Sequence, residues 1–357
     1  MKRNPEIELL RIIAMFMVLM LHSLGHGGVL DSYDRGTLGY CLFWSFEAFC
    51  FVAVNCFVLI TGYFGAKSKF RISRLLTFWF EVLTFSLICT AIVFNWNKGS
   101  LESVDWKTGL LPITSKSYWF ASVYLLLLLF KPLLNEILEK MNKTSLIATI
   151  LTVLVVYSII PSFMSWSMEL VGSGMDLVWF SIMYLIGGFI GKYGARNGKA
   201  RWLAYYALFT GITFLMRFLD LKDLYFYNSA TVLCASICLF MFIINLSKLG
   251  SESNRLLNFI SVVGKYVFGA YLISDNRVIR EFLWDRVNIV GYCQDNILKT
   301  LCYITFVNIC IFTVGTIIDW LIKRLLSIRI IRNSMTKVDE GYTRFVSYIE
   351  RKGTNGL

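Results

Sequence analysis

Histidine is nearly absent from this chain: His22 and His26 are the only two among 357 residues. Charge is scarce as well. Asp, Glu, Lys and Arg make up 16% of the sequence, where a soluble domain carries about a quarter, and that shortage excludes an ordinary globular surface. No internal repeat is visible. The nine cysteines (Cys41, Cys50, Cys56, Cys89, Cys234, Cys238, Cys293, Cys302, Cys310) are scattered, mostly inside apolar runs, so neither a disulfide framework nor a zinc-ligand pattern emerges. Lys2-Arg3 before an apolar stretch resembles a secretory signal, but Arg11 interrupts the stretch and no convincing small-residue cleavage site follows. An uncleaved first helix is expected.

What is present is apolar. Hydrophobic residues reach 57% and the mean hydropathy is +0.62. Uncharged runs of about 18 residues or more recur, the signature of a polytopic all-α membrane protein. The pattern predicts ten transmembrane helices, over residues 7–26, 42–65, 75–94, 118–135, 145–162, 175–192, 202–217, 227–247, 256–275 and 298–322. Residues 1–325 read as one membrane-embedded domain and 326–357 as a basic cytoplasmic tail. Near that junction Leu325, Leu326, Ile328, Ile330 and Ile331 suit a helix lying on the bilayer surface. Gly187 and Gly191 have small-xxx-small spacing, which is a packing device first.

A net charge of +12 would fit a nucleic-acid partner were it not for where the charge lies. Summed over alternate loops, Lys and Arg divide roughly 22 to roughly 8, as membrane orientation requires. No nucleic acid is expected, both termini are predicted to be cytoplasmic, and an even number of spans follows.

Arg11 and His22 stand out in the first helix. Eleven residues rotate an ideal helix about 1100°, some 20° past three turns, and raise it about 16 Å. The two side chains therefore share a face, the cation near the inner surface and the imidazole in the outer half. Ionisable groups at such positions face a bundle interior or a wet cavity. His22 suits a general base, since imidazole titrates near pH 6.5, although a packed, hydrogen-bonded histidine is the bland alternative. His26 follows one turn later, and the pair could share a metal, but no Asp, Glu or Cys accompanies them in a ligand pattern, so no metal is expected. Glu47, at a similar depth in the second helix, is either the partner that orients His22 or a solvated interfacial glutamate. Arg71 and Arg74 begin the third helix three residues apart, on neighbouring positions of one face. With Arg11 they would gather three guanidinium groups at the inner mouth, suited to bidentate phosphate binding, or they are simply inside-facing positive charge. Glu81, nearly two turns after Arg74, most simply neutralises an arginine in the bundle. Asn55 and Asp275-Asn276 are polar positions without an assigned role.

With these residues in view the chain resembles the acyltransferase-3 family of membrane-bound bacterial acyltransferases. The matching features are Arg-x10-His at Arg11 and His22, the helix ending Thr61-Gly62-Tyr63 after Asn55, Arg-x-x-Arg at Arg71 and Arg74, and Tyr118-Trp119-Phe120 leading to Lys131-Pro132. A fifth stretch, Gly264 to Ile273, resembles a helix 9 signature that often ends in a second histidine. Here Ser274-Asp275-Asn276 stands in that place. The pattern is closest to members that O-acetylate capsular or exopolysaccharide. The resemblance implies a multi-pass enzyme of the bacterial inner membrane, with acyl-CoA (usually acetyl-CoA) as co-substrate and no tightly bound cofactor. It also implies a polysaccharide or lipid-linked glycan as acceptor. His22 and Glu47 would be the catalytic pair, and Arg11, Arg71 and Arg74 the acyl-CoA-binding set. A transporter or flippase for a lipid-linked sugar or other anion is the competing reading, since basic inner loops and intramembrane charge fit it too. Against it stands the lack of repeat-related halves.

Overall fold

The computed structural model describes residues 4–65, 70–96, 105–164, 171–194, 199–246, 255–294 and 296–354. Lys2, Arg3, Lys67, Lys69 and Arg196, which entered the charge asymmetry, lie outside these. Among the described residues the chain is helical, without strands. Polar residues just before apolar runs start the helices. Asn4, Thr37, Asn142, Asp176, Ser229 and Asn296 each accept a backbone N–H of the first turn they precede, satisfying donors that would otherwise be orphaned. Pro5 follows Asn4 at the first helical position, where its missing N–H costs nothing.

The helices are α1 (Pro5–Gly25), α2 (Leu38–Cys50), α3 (Ala53–Gly65), α4 (Ile72–Trp96), α5 (Trp106–Leu110), α6 (Trp119–Lys140) and α7 (Lys143–Phe163). They continue as α8 (Leu177–Tyr193), α9 (Lys199–Phe218), α10 (Ala230–Ile244), α11 (Arg255–Val263), α12 (Phe268–Ser274), α13 (Arg280–Val287), α14 (Ile289–Cys293), α15 (Ile297–Leu326) and α16 (Arg329–Thr354). Each expected span is found as helix, with differences that matter. The second is α2 and α3, interrupted at Phe51–Val52. The ninth is α11 and α12, bent by 46° at a short break. Six helical stretches among the described residues are long and apolar enough to cross a membrane, seven if the bent pair counts as one. α8 and α10, at 17 and 15 residues, are shorter.

Close packing at glycine holds the bundle. A Cβ on Gly187 would lie 2.3 Å from the Leu59 carbonyl oxygen, and one on Gly62 2.1 Å from that of Tyr184, so α3 and α8 touch backbone to backbone. Gly191 continues the same seam against Tyr63. Asn135 of α6 ties the ends together, donating to the Gly65 carbonyl (3.1 Å) and accepting from the Tyr184 hydroxyl (2.6 Å). In α7, Pro161 cannot donate to the Tyr157 carbonyl; Asn228 donates to it instead, at 2.8 Å.

The cation that Glu81 meets in the bundle is a lysine, not an arginine. Glu81 faces Lys323 of α15 at 3.2 Å, and Lys323 also bonds Asp319 at 2.9 Å and the Lys265 carbonyl at 3.0 Å. The carboxylate points into the bundle, where only a cation from another helix can reach it, while Arg74 is exposed. The tail forms α16, whose Asp339 accepts from both the backbone N–H (2.9 Å) and the hydroxyl (2.7 Å) of Ser73 at the start of α4.

Gly187→Leu should force α3 and α8 apart and cost about 1–3 kcal/mol, seen as a lower thermal midpoint in detergent. Lys323→Met strands two buried carboxylates and should cost about 3 kcal/mol. Adding Glu81→Gln and Asp319→Asn to it should restore most of that loss in the same measurement.

Candidate active site

His22 occupies the last turn of α1, half-buried, with its Nδ1 2.8 Å from the Ser274 hydroxyl. Ser274 ends α12, and its position follows from the bend before that helix. Gly269 sits so close to α15 that a Cβ there would lie 2.2 Å from the Gly315 carbonyl oxygen, and this contact carries the end of α12 to α1. The Ser274 hydroxyl also lies 2.9 Å from the Ala270 carbonyl, one turn back. When its one proton goes to that carbonyl, the hydroxyl accepts from His22, the imidazole proton sits on Nδ1 and Nε2 keeps a free lone pair. That is the tautomer a general base needs.

The residue after Ser274 builds the other half of the site. Asp275 is buried, 3.3 Å from His26 Nε2 and 3.5 Å from an Arg280 guanidinium nitrogen. It also acts electrostatically on His22. One ligand atom each from His22, His26 and Asp275 lie within 4.8 Å of one another. Metal binding had no acidic third residue in the local sequence; the fold supplies one from 249 positions beyond His26. These three would hold a divalent ion here, although His22 Nδ1 and His26 Nε2 already have the partners named. Asn276 locks the segment, donating to the Tyr118 hydroxyl at 2.6 Å, while Trp284 donates to the Ser274 carbonyl at 3.2 Å.

His22 also lines a narrow cavity of about 60 Å³ whose other walls are apolar or aromatic: Met15, Val18, Leu21, Val54, Phe57, Trp119, Phe120, Tyr227, Phe268 and Tyr271. Met15, Val18 and His22 lie on one face of α1, so the slot descends about 10 Å along that helix from the imidazole. It points toward Arg11, one turn below Met15.

The other expected residues are placed as follows. Glu47 is buried in α2, and its electrostatic partner is Arg217 of α9. The hydrogen bond on the His22 ring comes from Ser274 rather than Glu47. The two share a depth but not a direction, since Tyr227 borders the cavity while interacting with Glu47 from its other side. Arg11 is partly exposed and pairs with Glu8 at 3.2 Å. Arg71 and Arg74 are exposed at the start of α4. Arg71 lines a cavity of about 530 Å³ with Phe70 and residues of α16, among them Tyr342 and Arg344, whereas Arg74 acts electrostatically on Lys131. The three guanidinium groups thus stand in separate surroundings. Asn55 proves structural. It donates to the Tyr227 carbonyl (2.9 Å) and Ser236 (3.2 Å) and accepts from the Trp179 indole (2.9 Å).

Ser274 and Asp275 are the neighbours of His22 that residue-by-residue reading did not assign. Their only trace was the departure from the helix 9 pattern at Ser274-Asp275-Asn276. Neither the curated proteins nor the solved structures contain a match to this chain. A family model described as an acyltransferase domain matches residues 4–319, nearly the whole length. Together with the apolar helices, that match places the chain in the acyltransferase-3 family, as a membrane acyltransferase.

Proposed function

We propose that the protein moves an acyl group, acetyl in the first instance, from cytoplasmic acyl-CoA to a hydroxyl of a polysaccharide or lipid-linked glycan. The setting is the inner membrane of a bacterium, with ten helices crossing or entering the bilayer and both termini cytoplasmic. The loop charge supports that orientation. α8 and α10 would span only about 25 Å and 22 Å of an apolar layer about 30 Å thick.

The observation that carries the reading is the position of His22, held through Nδ1 by Ser274 at the head of an apolar slot; in the tautomer protonated on Nδ1, Nε2 is the base. A pantetheine arm is long and thin, as the slot is. Of the three arginines, Arg11 alone lies on the α1 face that carries Met15, Val18 and His22, and it would hold a nucleotide phosphate at the inner surface while the thioester carbonyl reaches His22. The acceptor hydroxyl attacks that carbon and gives its proton to Nε2. The C–S bond breaks, and the imidazolium returns the proton to the departing thiolate. Asp275 offsets the positive charge that the ring carries between these two transfers.

In proteoliposomes given radiolabelled acetyl-CoA and glycan, His22→Ala should lower incorporation of label by about 10²–10⁴-fold at unchanged membrane level. Undiminished incorporation would end the assignment. Ser274→Ala should lower kcat about tenfold with little change in either KM, since it frees the tautomer without touching substrate. Arg11→Ala should remove the thermal protection that acetyl-CoA gives the detergent-solubilised protein; protection equal to the parent's would take away the phosphate-binding role.

A further inference from the structure

Asp275 meets the two histidines of the chain at the end of α1. His22 and His26 stand one turn apart there, their ring centroids separated by 5.3 Å. Asp275 follows the last residue of α12 and is buried, whereas the His26 side chain is 34% exposed. The group is thus open to solvent at His26 and closed at Asp275. One ring nitrogen of each histidine and one carboxylate oxygen of Asp275 lie within 4.8 Å of one another. Two distant stretches of chain supply them, and backbone bonds hold both in place. The His26 N–H donates to the His22 carbonyl at 2.8 Å, and the Asp275 N–H to the Tyr271 carbonyl at 3.1 Å.

The spacing fits an ion better than it fits hydrogen bonds. His26 Nε2 lies 3.3 Å from Asp275 Oδ1, and an Arg280 guanidinium nitrogen 3.5 Å from the same oxygen. Charge-assisted N–H···O bonds are shorter, about 2.7–2.9 Å. Two ligands of a tetrahedral zinc ion, each about 2.0–2.1 Å from the metal, stand about 3.3 Å apart. That is the separation of His26 and Asp275. The remaining edges are 4.8 Å at most, so a rotation of the His22 ring completes a three-ligand site and leaves the fourth position to water, as open zinc sites do. Two imidazoles and a carboxylate suit Zn²⁺; Mg²⁺ and Ca²⁺ take oxygen ligands. Arg280 opposes the ion, but its side chain is 33% exposed and its charged head can turn to water. The chemical consequence falls on His22. An ion on Nε2 takes the lone pair that would accept a proton, and an ion on Nδ1 puts the ring proton on Nε2. Either way the ring no longer serves as a base.

We infer that His22, His26 and Asp275 form a zinc-binding site, and that the bound ion blocks acyl transfer by occupying the base. The block rests on the acyl-transfer reading above; the binding does not. The test uses Zn²⁺ with the full, detergent-solubilised chain carrying no polyhistidine tag. One equivalent should bind, and X-ray absorption at the zinc edge should show imidazole scattering, which only His22 and His26 can give. His26→Gln and Asp275→Asn should each weaken binding about tenfold or more, with circular dichroism and elution volume unchanged. An excess of Mg²⁺ or Ca²⁺ should not displace the ion. Scattering from sulfur without imidazole, meaning that cysteines take the zinc, would overturn the site on the parent protein alone. An affinity unchanged in Asp275→Asn would do the same. In proteoliposomes Zn²⁺ should inhibit acetyl transfer over the concentrations at which it binds. His26→Gln, compared with its own metal-free rate, should require about tenfold more. Imidazole scattering with transfer undiminished would leave the site standing and remove His22 as the base. Inhibition at the same zinc concentration in His26→Gln and parent would place the block elsewhere and overturn it here.

Discussion

Inside an apolar bundle a polar side chain has no water to turn to and must find its partner on another helix. The architecture follows from meeting that demand repeatedly. Ser23 donates to Asn308 at 2.7 Å and fixes α1 against α15. Asn55 joins α3 to α8 and α10, and Lys323 gathers carboxylates from α4 and from its own helix. His22 and Ser274 form the same kind of bond, with one difference. The serine hydroxyl also reaches the Ala270 carbonyl, so one bond both locates the imidazole and occupies its Nδ1, turning Nε2 to the other side of the ring.

The break between α11 and α12 is what brings that serine to the imidazole. A straight helix through residues 264–267 would carry Ser274 along a different line. The bend is accommodated because Gly269 and Gly315 let two backbones meet where a Cβ on either would collide. Small residues at one helix pair thus set a hydrogen bond at another, and Asp275 and Asn276 are delivered by the same turn. Around His22 the result is an apolar slot on one side and a ring of paired polar groups on the other. Beyond Tyr227, past Phe51 and Tyr225, lies a second cavity of different character, lined mainly by charged side chains.

Much of this was legible in the residues. Helix positions followed from apolar runs bounded by capping residues such as Asn4, Asn142 and Asp176. The Gly187–Gly191 seam followed from spacing, and the Arg11–His22 axis from helical phase. Pairings across helices were not legible. Glu81 was expected to neutralise an arginine of the bundle, yet its side chain meets Lys323 of a helix more than 200 residues on. Glu47 matched His22 in depth, but depth says nothing about the direction a helix faces, and Arg217 and Tyr225 are its neighbours. The interruption at Phe51–Val52 carries no proline or glycine to announce it.

The sequence by itself determined that the chain is a helical membrane protein of this family, and that an imidazole and a cation lie on one face of its first helix. Those properties depend on local periodicity and residue chemistry. The tertiary structure alone decided that Ser274 holds the imidazole, that Asp275 stands beside both histidines, and that Glu47 meets Arg217 instead of His22. Helix rotation and partner choice are set by how all the helices pack at once, and no window of neighbouring residues contains that information.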